Sequence, residues 1–178
     1  KGLYKFKSGP KRKKLRANIL GSGAIMNEAL KAQRILLEEF NIAADIWSAT
    51  SYKSLRADAL AVERWNLLHP DKKPKIPYVS KLLSNQKGPF IAVSDYMKLV
   101  PDQIASWVPG GLRSLGTDGF GRSDSREALR RHFEIDAGTI ALAVIYELFR
   151  RRELEIKIVK MALKKLEIDP EKVDPLFA

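Results

Sequence analysis

The feature that most constrains the fold is the alternation of short, apolar, β-rich stretches with longer segments of helical periodicity. Four stretches are predicted as strands: residues 15–20, 44–51, 90–95 and 113–116. Apolar residues recur at helical spacing over residues 24–40, 54–70, 136–152 and 154–168, as in helices with one buried face. This alternation predicts an α/β fold in which helices cover both faces of a parallel or mostly parallel sheet.

Shorter helical segments are predicted between these elements, over residues 78–86, over a broken stretch at 96–108, and from about Asp124. With 178 residues, 45% of them hydrophobic, the chain is long enough for one domain with a sizeable core. No cysteine occurs, which excludes a disulfide framework, a thiolate zinc site and a cysteine nucleophile. No apolar run reaches the length of a membrane span and no signal-peptide pattern opens the sequence, so we expect an intracellular location.

The chain carries a formal net charge of +11. Its basic clusters, at residues 11–14, 130–131 and 150–152, are spread along the chain and interleaved with acidic residues. This distribution favours a solvated basic surface over a nucleic-acid site, and we expect no specific nucleic acid partner. The charge nevertheless supports a second hypothesis, a free-standing basic α/β binding module for RNA or an acidic protein partner.

A glycine turn follows the first predicted strand and opens a helix, an arrangement that can bind a phosphate group. Gly21 and Gly23 fit the spacing of a dinucleotide fingerprint, but Met26 stands where that fingerprint needs a third glycine. The next strand also ends without the acidic residue that binds a ribose. We interpret the turn as structural, and a small Rossmann-like nucleotide-binding protein remains a minor alternative.

Candidate catalytic and metal-binding residues are sparse. His69 lies at a predicted helix end, where it can cap carbonyl groups. His132 follows Arg130 and Arg131, whose charges are expected to lower its pKa. The two histidines share no ligand spacing with each other or with carboxylates, and no nucleophile elbow occurs. The sequence therefore predicts no catalytic, cofactor-binding or metal-binding residue.

One glycine-rich stretch, "RSLGTDGFGRSDSREALRRHF" at residues 113–133, raises the question of a local site. Gly116, Gly119 and Gly121 permit left-handed backbone and close approach, and Gly121→Val is expected to disrupt the loop if Gly121 has a positive φ. Phe120, between two of these glycines, is expected to be buried against its own domain or a neighbouring one.

The same stretch runs into a predicted helix. Asp124, with Glu127 three residues later, is expected to form an acidic capping box. Arg122 and Arg126 could contribute to an anion site or pair instead with Asp118 and Asp124. A capped helix explains most of the pattern, so we favour a structural turn or subunit contact over a ligand site.

Four stretches carry a resemblance to a known family: "LGTDGFGRSDSREALRRHFEID", "IWSATSYKSLRADALAVERWNLLHP", "AVSDYMKLVPDQIASWVP" and "LEIDPEKVDP". They resemble the C-terminal, transketolase-type domain of the homodimeric decarboxylating component of pyruvate dehydrogenase complexes, and the resemblance covers the whole chain. It implies a three-layer α/β/α sandwich with a mostly parallel five-stranded sheet and one antiparallel edge strand.

The resemblance also implies an activity for a longer polypeptide. Such an enzyme decarboxylates pyruvate and acetylates the lipoyl group of a dihydrolipoyl acetyltransferase core, using thiamine diphosphate and Mg²⁺ bound by upstream domains. Residues 117–119, "TDG", superficially resemble a thiamine-binding signature, but the asparagine pair that should follow is missing. We therefore expect no cofactor on this fragment and no catalysis by it alone.

The organisation expected from the resemblance is a basic lead-in from an upstream domain over residues 1–14 and a transketolase C-terminal-like domain over residues 15–178. The partners it implies are the upstream domains of the same chain, a second subunit of a homodimer and the acetyltransferase core, with no membrane contact. It implies the bacterial cytoplasm, or alternatively the mitochondrial matrix. The residues expected to form an interface or loop scaffold are Gly116, Asp118, Gly119, Phe120, Gly121, Arg122 and Asp124.

Overall fold

The computed structural model describes residues 1–178, which form five strands and seven α-helices. The strands are β1 Leu3–Lys7, β2 Arg16–Gly21, β3 Ala43–Ala49, β4 Phe90–Val93 and β5 Arg113–Leu115. The helices are α1 Met26–Phe40, α2 Tyr52–Leu68, α3 Tyr78–Leu83, α4 Leu99–Asp102, α5 Arg126–His132, α6 Ala137–Arg150 and α7 Ile156–Lys165. No helix has both the length and the apolar character needed to cross a membrane.

The strands form one sheet in the order β1-β3-β2-β4-β5. Strands β2 to β5 run parallel, and β1 pairs antiparallel with the outer edge of β3. The predicted α/β class, the five mostly parallel strands and the antiparallel edge strand are confirmed. The antiparallel strand lies inside the stretch interpreted as a lead-in, so the boundary at residue 15 does not separate that stretch from the sheet.

Helices cover both faces of the sheet and create two apolar cores. The larger core joins α1, α6 and α7 to one face, with Ile19, Ile46 and Ile91 fully buried. The smaller core joins α2 and α3 to the other face, around Leu20 and Trp47. Successive residues of β2 thus point into different cores, as the two-residue period of a strand requires.

Side-chain caps fix where helices α2 and α6 begin. The Ser51 hydroxyl accepts a hydrogen bond from the Ser54 backbone N–H at the start of α2. The Asp136 carboxylate accepts from the backbone N–H groups of Gly138 and Thr139 at the start of α6. These bonds satisfy N–H groups that have no partner inside the helix, so the first turns of these two helices have a defined geometry.

Two buried carboxylates connect parts of the fold that are distant in sequence. Asp45 accepts from Lys5 at 2.7 Å, from Arg16 at 2.8 Å and from the backbone N–H of Gly9 at 2.9 Å. It therefore ties β1 and the segment after it to the centre of the sheet. Charges so deeply buried are stable only when paired in this way.

The second buried carboxylate, Glu28, lies in the first turn of α1. It accepts from Lys31 and Arg130, both at 2.9 Å, and from the backbone N–H of Ala137 at 3.1 Å. A single side chain thereby joins α1, the end of α5 and the start of α6. This contact holds the segment after β5 against the body of the domain.

Candidate functional site

The strand order reverses direction between β2 and β4, because the chain passes from β2 to β3 on one side and then to β4 on the other. In open α/β sheets, ligands bind beyond the carboxyl ends of the strands at such a reversal. A crevice of about 530 Å³ lies there. Its polar walls include Ser22, Ser94, Asp95 and Gln103.

The glycine turn after β2 forms one side of this crevice. Gly23 has φ 53°, and a Cβ built on it would lie 3.4 Å from the Asp95 carboxylate. Ser22 and Ser94 bond to each other through their hydroxyls at 3.2 Å. The negative charge of this carboxylate would repel the phosphate of a dinucleotide. The geometry therefore supports the interpretation of Gly21 and Gly23 as a structural turn.

The loop after β5, residues 116–124, is held against the segment that follows β4. The Thr117 hydroxyl donates to the Asp95 carbonyl oxygen at 3.1 Å, and the Asp118 carboxylate accepts from the Lys98 backbone N–H at 3.0 Å. A Cβ on Gly116 would lie 2.5 Å from the Tyr96 carbonyl oxygen. The "TDG" residues that resemble a cofactor signature therefore join two loops through hydrogen bonds.

Gly119 is the glycine in this loop that needs left-handed backbone. Its φ is 115°, and a Cβ on it would lie 2.2 Å from the Pro175 carbonyl oxygen, so the loop packs directly on the C-terminal tail. Gly121 does not have a positive φ, so the condition under which Gly121→Val would disrupt the loop is not met. A Cβ on Gly121 would have no atom within 4 Å, because the chain at that point faces open solvent.

The expected capping box at the start of α5 is also wrong, by one residue. Ser125 is the N-cap, and its hydroxyl accepts from the Ala128 backbone N–H at 3.2 Å. The Asp124 carboxylate instead accepts from the Ser125 backbone N–H at 2.6 Å. No ion pair joins Arg122 or Arg126 to Asp118 or Asp124.

Exposed apolar side chains surround the loop. They belong to three touching segments, residues 96–99, the 116–124 loop and the tail at 175–177. We call this surface the apolar rim; its members are Tyr96, Met97, Leu99, Phe120, Leu176 and Phe177. Phe120 is 82% exposed and Phe177 80% exposed, so Phe120 is not buried against its own domain, which corrects one of the two expected placements.

Local hydrogen bonding accounts for His69, whereas the Nε2 atom of His132 is buried without a hydrogen-bond partner. His69 is the residue after α2, stacks on Trp65 with ring centroids 4.5 Å apart, and donates through Nδ1 to the Trp65 carbonyl oxygen at 2.8 Å. The predicted carbonyl-capping role of His69 is confirmed. The pKa of His132 is lowered, first by burial and then by Arg122 and Lys172, so the expected direction is right but the responsible cations are different ones.

No group of three or more histidine, cysteine or acidic side chains is arranged to hold a metal ion. The crevice at the strand reversal contains hydroxyls, a carboxylate and an amide, but neither of the two histidines. These residues can donate and accept hydrogen bonds.

The fold and the loop contacts thus define a class of protein. It is a three-layer α/β domain with one antiparallel edge strand and a hydrogen-bonded loop at the carboxyl edge of its sheet. Residues 2–136 match the family described as "Transketolase-like TK C-terminal domain", and the chain belongs to this family. The expected transketolase-type domain is confirmed.

The curated relatives are more specific. The "Pyruvate dehydrogenase E1 component" of Pseudomonas aeruginosa is 48% identical over 177 residues, which cover 99% of this chain and 20% of that protein. The protein of the same name from Escherichia coli K12 is 42% identical over 181 residues, covering 100% of this chain and 20% of that protein. The chain therefore spans about a fifth of the length of the curated relatives it matches.

Solved structures support the fold at lower sequence similarity. Transketolase from Leishmania mexicana superposes with a TM-score of 0.54 at 16% identity over 84% of this chain and 18% of that one. A Pichia stipitis transketolase mutant gives 0.56 at 18% identity over 86% of this chain and 19% of that one. These likenesses establish the architecture alone.

Proposed function

We propose that this chain is the C-terminal domain of a thiamine-diphosphate-dependent pyruvate dehydrogenase subunit. The full enzyme decarboxylates pyruvate and acetylates the lipoyl group of a dihydrolipoyl acetyltransferase core. Thiamine diphosphate and Mg²⁺ bind upstream domains of the enzyme. The domain described here supplies structure and interface and has no catalytic activity alone.

The observation that carries this proposal is the similarity over the whole chain to proteins named pyruvate dehydrogenase E1 component, at 48% identity for the Pseudomonas relative. The relatives considered above are bacterial, so we place the enzyme in the bacterial cytoplasm, with the mitochondrial matrix as the alternative. The other domains of the enzyme, a second subunit and the acetyltransferase core are the proposed partners.

The apolar rim is the proposed interface with the rest of the enzyme. Six apolar side chains on one edge, with Phe120 and Phe177 at least 80% exposed, form a surface of the kind that marks a protein contact. Gly119 and Asp118 fix the loop that carries Phe120 to the tail and to the preceding loop. The loop therefore presents Phe120 on a rigid support, which lowers the entropy lost when a partner binds.

A chimera tests the activity directly. The C-terminal domain of the Pseudomonas enzyme is replaced by this chain, and pyruvate decarboxylation and lipoyl acetylation are measured. We expect both activities, and we expect that calorimetry detects no thiamine diphosphate binding to this chain alone. Inactivity of a folded, assembled chimera would contradict the proposed function.

A variant of Phe120 tests the interface separately. Phe120→Ser is expected to change the stability of the isolated chain by less than about 0.5 kcal/mol, because the side chain is exposed. In the chimera the same substitution should lower assembly at limiting concentration, measured by analytical ultracentrifugation. The matched control is Leu67→Ser, at a side chain 79% exposed outside the rim. Equal effects of the two variants would argue against the rim as the interface.

The basic binding module makes a different prediction. It requires RNA affinity that falls steeply with salt, together with an inactive chimera. Gel shifts of the chain at two salt concentrations therefore separate the two hypotheses. We expect only weak binding that is lost near physiological ionic strength.

A further inference from the structure

A cavity of about 340 Å³ lies at the amino edge of the sheet, the edge opposite to the apolar rim. It is bounded by the first residues of β4 and β5, by the glycine pair before β5, and by the end of α6. Three guanidinium groups and one carboxylate line it: Arg113, Arg150, Arg151 and Glu147. We call it the arginine cavity, and no residue of the proposed interface belongs to it.

The positive charge of this cavity is only partly compensated. Glu147 is bound to Arg113, with Nε donating to Oε1 at 2.5 Å. The nearest Arg150 nitrogen lies 3.6 Å from the same oxygen, too far for a good hydrogen bond. Arg151 donates only to the neutral carbonyl oxygen of Gly110, at 3.3 Å. Two guanidinium groups therefore lack a hydrogen-bonded counter-charge.

One wall of the cavity, formed by Arg113, is held in place before any ligand arrives. Arg113 is held by Glu147 and lies with its guanidinium carbon 5.1 Å from the centre of the Tyr146 ring. Gly110 has φ 75°, and a Cβ there would lie 3.1 Å from an Arg151 nitrogen. The glycine thus lets Arg151 close over the loop. Guanidinium groups match the oxygens of phosphate through paired, charge-assisted hydrogen bonds.

We propose that the arginine cavity binds an anion carrying a phosphate group. The three guanidinium groups and one carboxylate of the lining carry a net charge that matches a phosphate dianion, and the cavity volume is at the small end of ligand sites. The walls are mostly polar, which disfavours a large apolar group on the ligand. The site is independent of the proposed interface, because it lies at the other edge of the sheet.

Inorganic phosphate is the first probe, used with the 178-residue chain in calorimetry and thermal melts, with sodium chloride at matched ionic strength as the reference. We expect saturable binding with a dissociation constant of about 1 mM or tighter, the affinity that two charge-assisted contacts can supply. Glycerol phosphate is the second probe. Tighter binding of this monoester assigns the site to a phosphorylated metabolite, and equal binding assigns it to free phosphate.

Three variants locate the binding. Arg151→Gln is expected to weaken phosphate binding about tenfold or more. Arg152→Gln changes the charge equally in the same arginine run but outside the cavity, and should weaken binding less than about twofold, by diffuse charge alone. Glu147→Gln removes the competing carboxylate and should tighten binding. Melts without phosphate confirm that each variant is folded, and Arg150→Gln replaces Arg151→Gln if that variant does not fold.

Two results would overturn the proposal. One is the absence of any phosphate effect beyond that of sodium chloride. The other is equal weakening by Arg151→Gln and Arg152→Gln, which would mean that phosphate responds to the overall charge and not to the cavity.

Discussion

The Glu28 side chain provides a sharp test of how the segment after β5 is held in place. Glu28 is only 5% exposed and accepts hydrogen bonds from Lys31, Arg130 and the Ala137 backbone N–H. Glu28→Gln keeps the size of the side chain but removes its charge. The new amide has one oxygen to accept with, and its NH₂ group faces a donor, so at least one buried donor loses its partner.

The three contacts contribute unequally to the expected loss. The Lys31 side chain is 48% exposed and can turn to water, so its loss costs little. The Arg130 side chain is only 19% exposed and cannot turn to water in the same way. The Ala137 backbone N–H is also buried. Breaking a buried pair from one side costs about 3–5 kcal/mol. Because Lys31 escapes to solvent, we expect the lower end, about 3 kcal/mol, which lowers the melting temperature by about 9 °C in a domain of this size.

Urea denaturation followed by circular dichroism measures this free energy, and the dependence on urea should be unchanged if unfolding stays two-state. Glu38→Gln is the control, an exposed glutamate on the same helix, and should change stability by less than about 0.5 kcal/mol. A double-mutant cycle with Arg130→Met should give a coupling of about 1 kcal/mol or more. A loss below about 1 kcal/mol for Glu28→Gln would refute the assignment of Glu28 as the joint between α1, α5 and α6.

Three further outcomes are expected. Gly119→Ala should destabilise the chain by about 1–3 kcal/mol, because of its positive φ and its contact with Pro175, whereas Gly121→Ala should leave the melting temperature unchanged; equal effects would contradict the loop geometry. Asp45→Asn should lower the free energy of unfolding by about 2–3 kcal/mol and speed hydrogen exchange of β1 before that of β3; uniform exchange would show that Asp45 does not anchor β1. The lowered pKa of His132 means that the folded state binds fewer protons than the unfolded state, so the stability due to this residue is present above about pH 6.5 and lost as pH falls below it. His132→Gln should flatten that dependence in denaturation curves from about pH 8 to about pH 5, and an unchanged slope would contradict the assignment.

The alternation of strands and helices predicted the layers of the fold because the apolar residues of a buried strand indicate that helices cover both of its faces. Residues 90–93 are apolar on both faces, and such stretches lie in the middle of covered parallel sheets. The edge strand β1 gave no comparable signal from its residues. Only Leu3 of β1 is buried, and it pairs with Ala49, a partner far away in sequence.

The loop after β5 shows why glycine positions alone do not predict backbone strain. Gly119 and Gly121 look alike in the sequence, and the difference between them comes from Pro175, which packs on only one of them. The predicted N-cap of α5 was Asp124 and the observed one is Ser125, and the sequence does not separate them because both side chains can accept the required hydrogen bond. Neighbouring residues of equal capacity leave a helix start uncertain by a residue.

The candidate surfaces were the least predictable part. The apolar rim gathers Tyr96, Phe120 and Phe177 from segments that meet only after the sheet has formed. The arginine cavity likewise joins Arg113 to Arg151 through the packing of α6 beside β5. No local pattern signals such neighbours, although the run of three arginines after α6 marked one half of the cavity.

The antiparallel strand β1 has a consequence for how this domain behaves at high concentration. Edge strands with free backbone groups recruit other chains into extended sheets and so cause aggregation. Strand β1 carries Lys5 and Lys7, and its pairing is irregular between them. The other edge is β5, only three residues long. At one edge, a second molecule would face two lysines on an irregularly paired strand, and at the other edge only three residues could form backbone hydrogen bonds. We therefore expect the folded domain to resist edge-to-edge aggregation at high concentration.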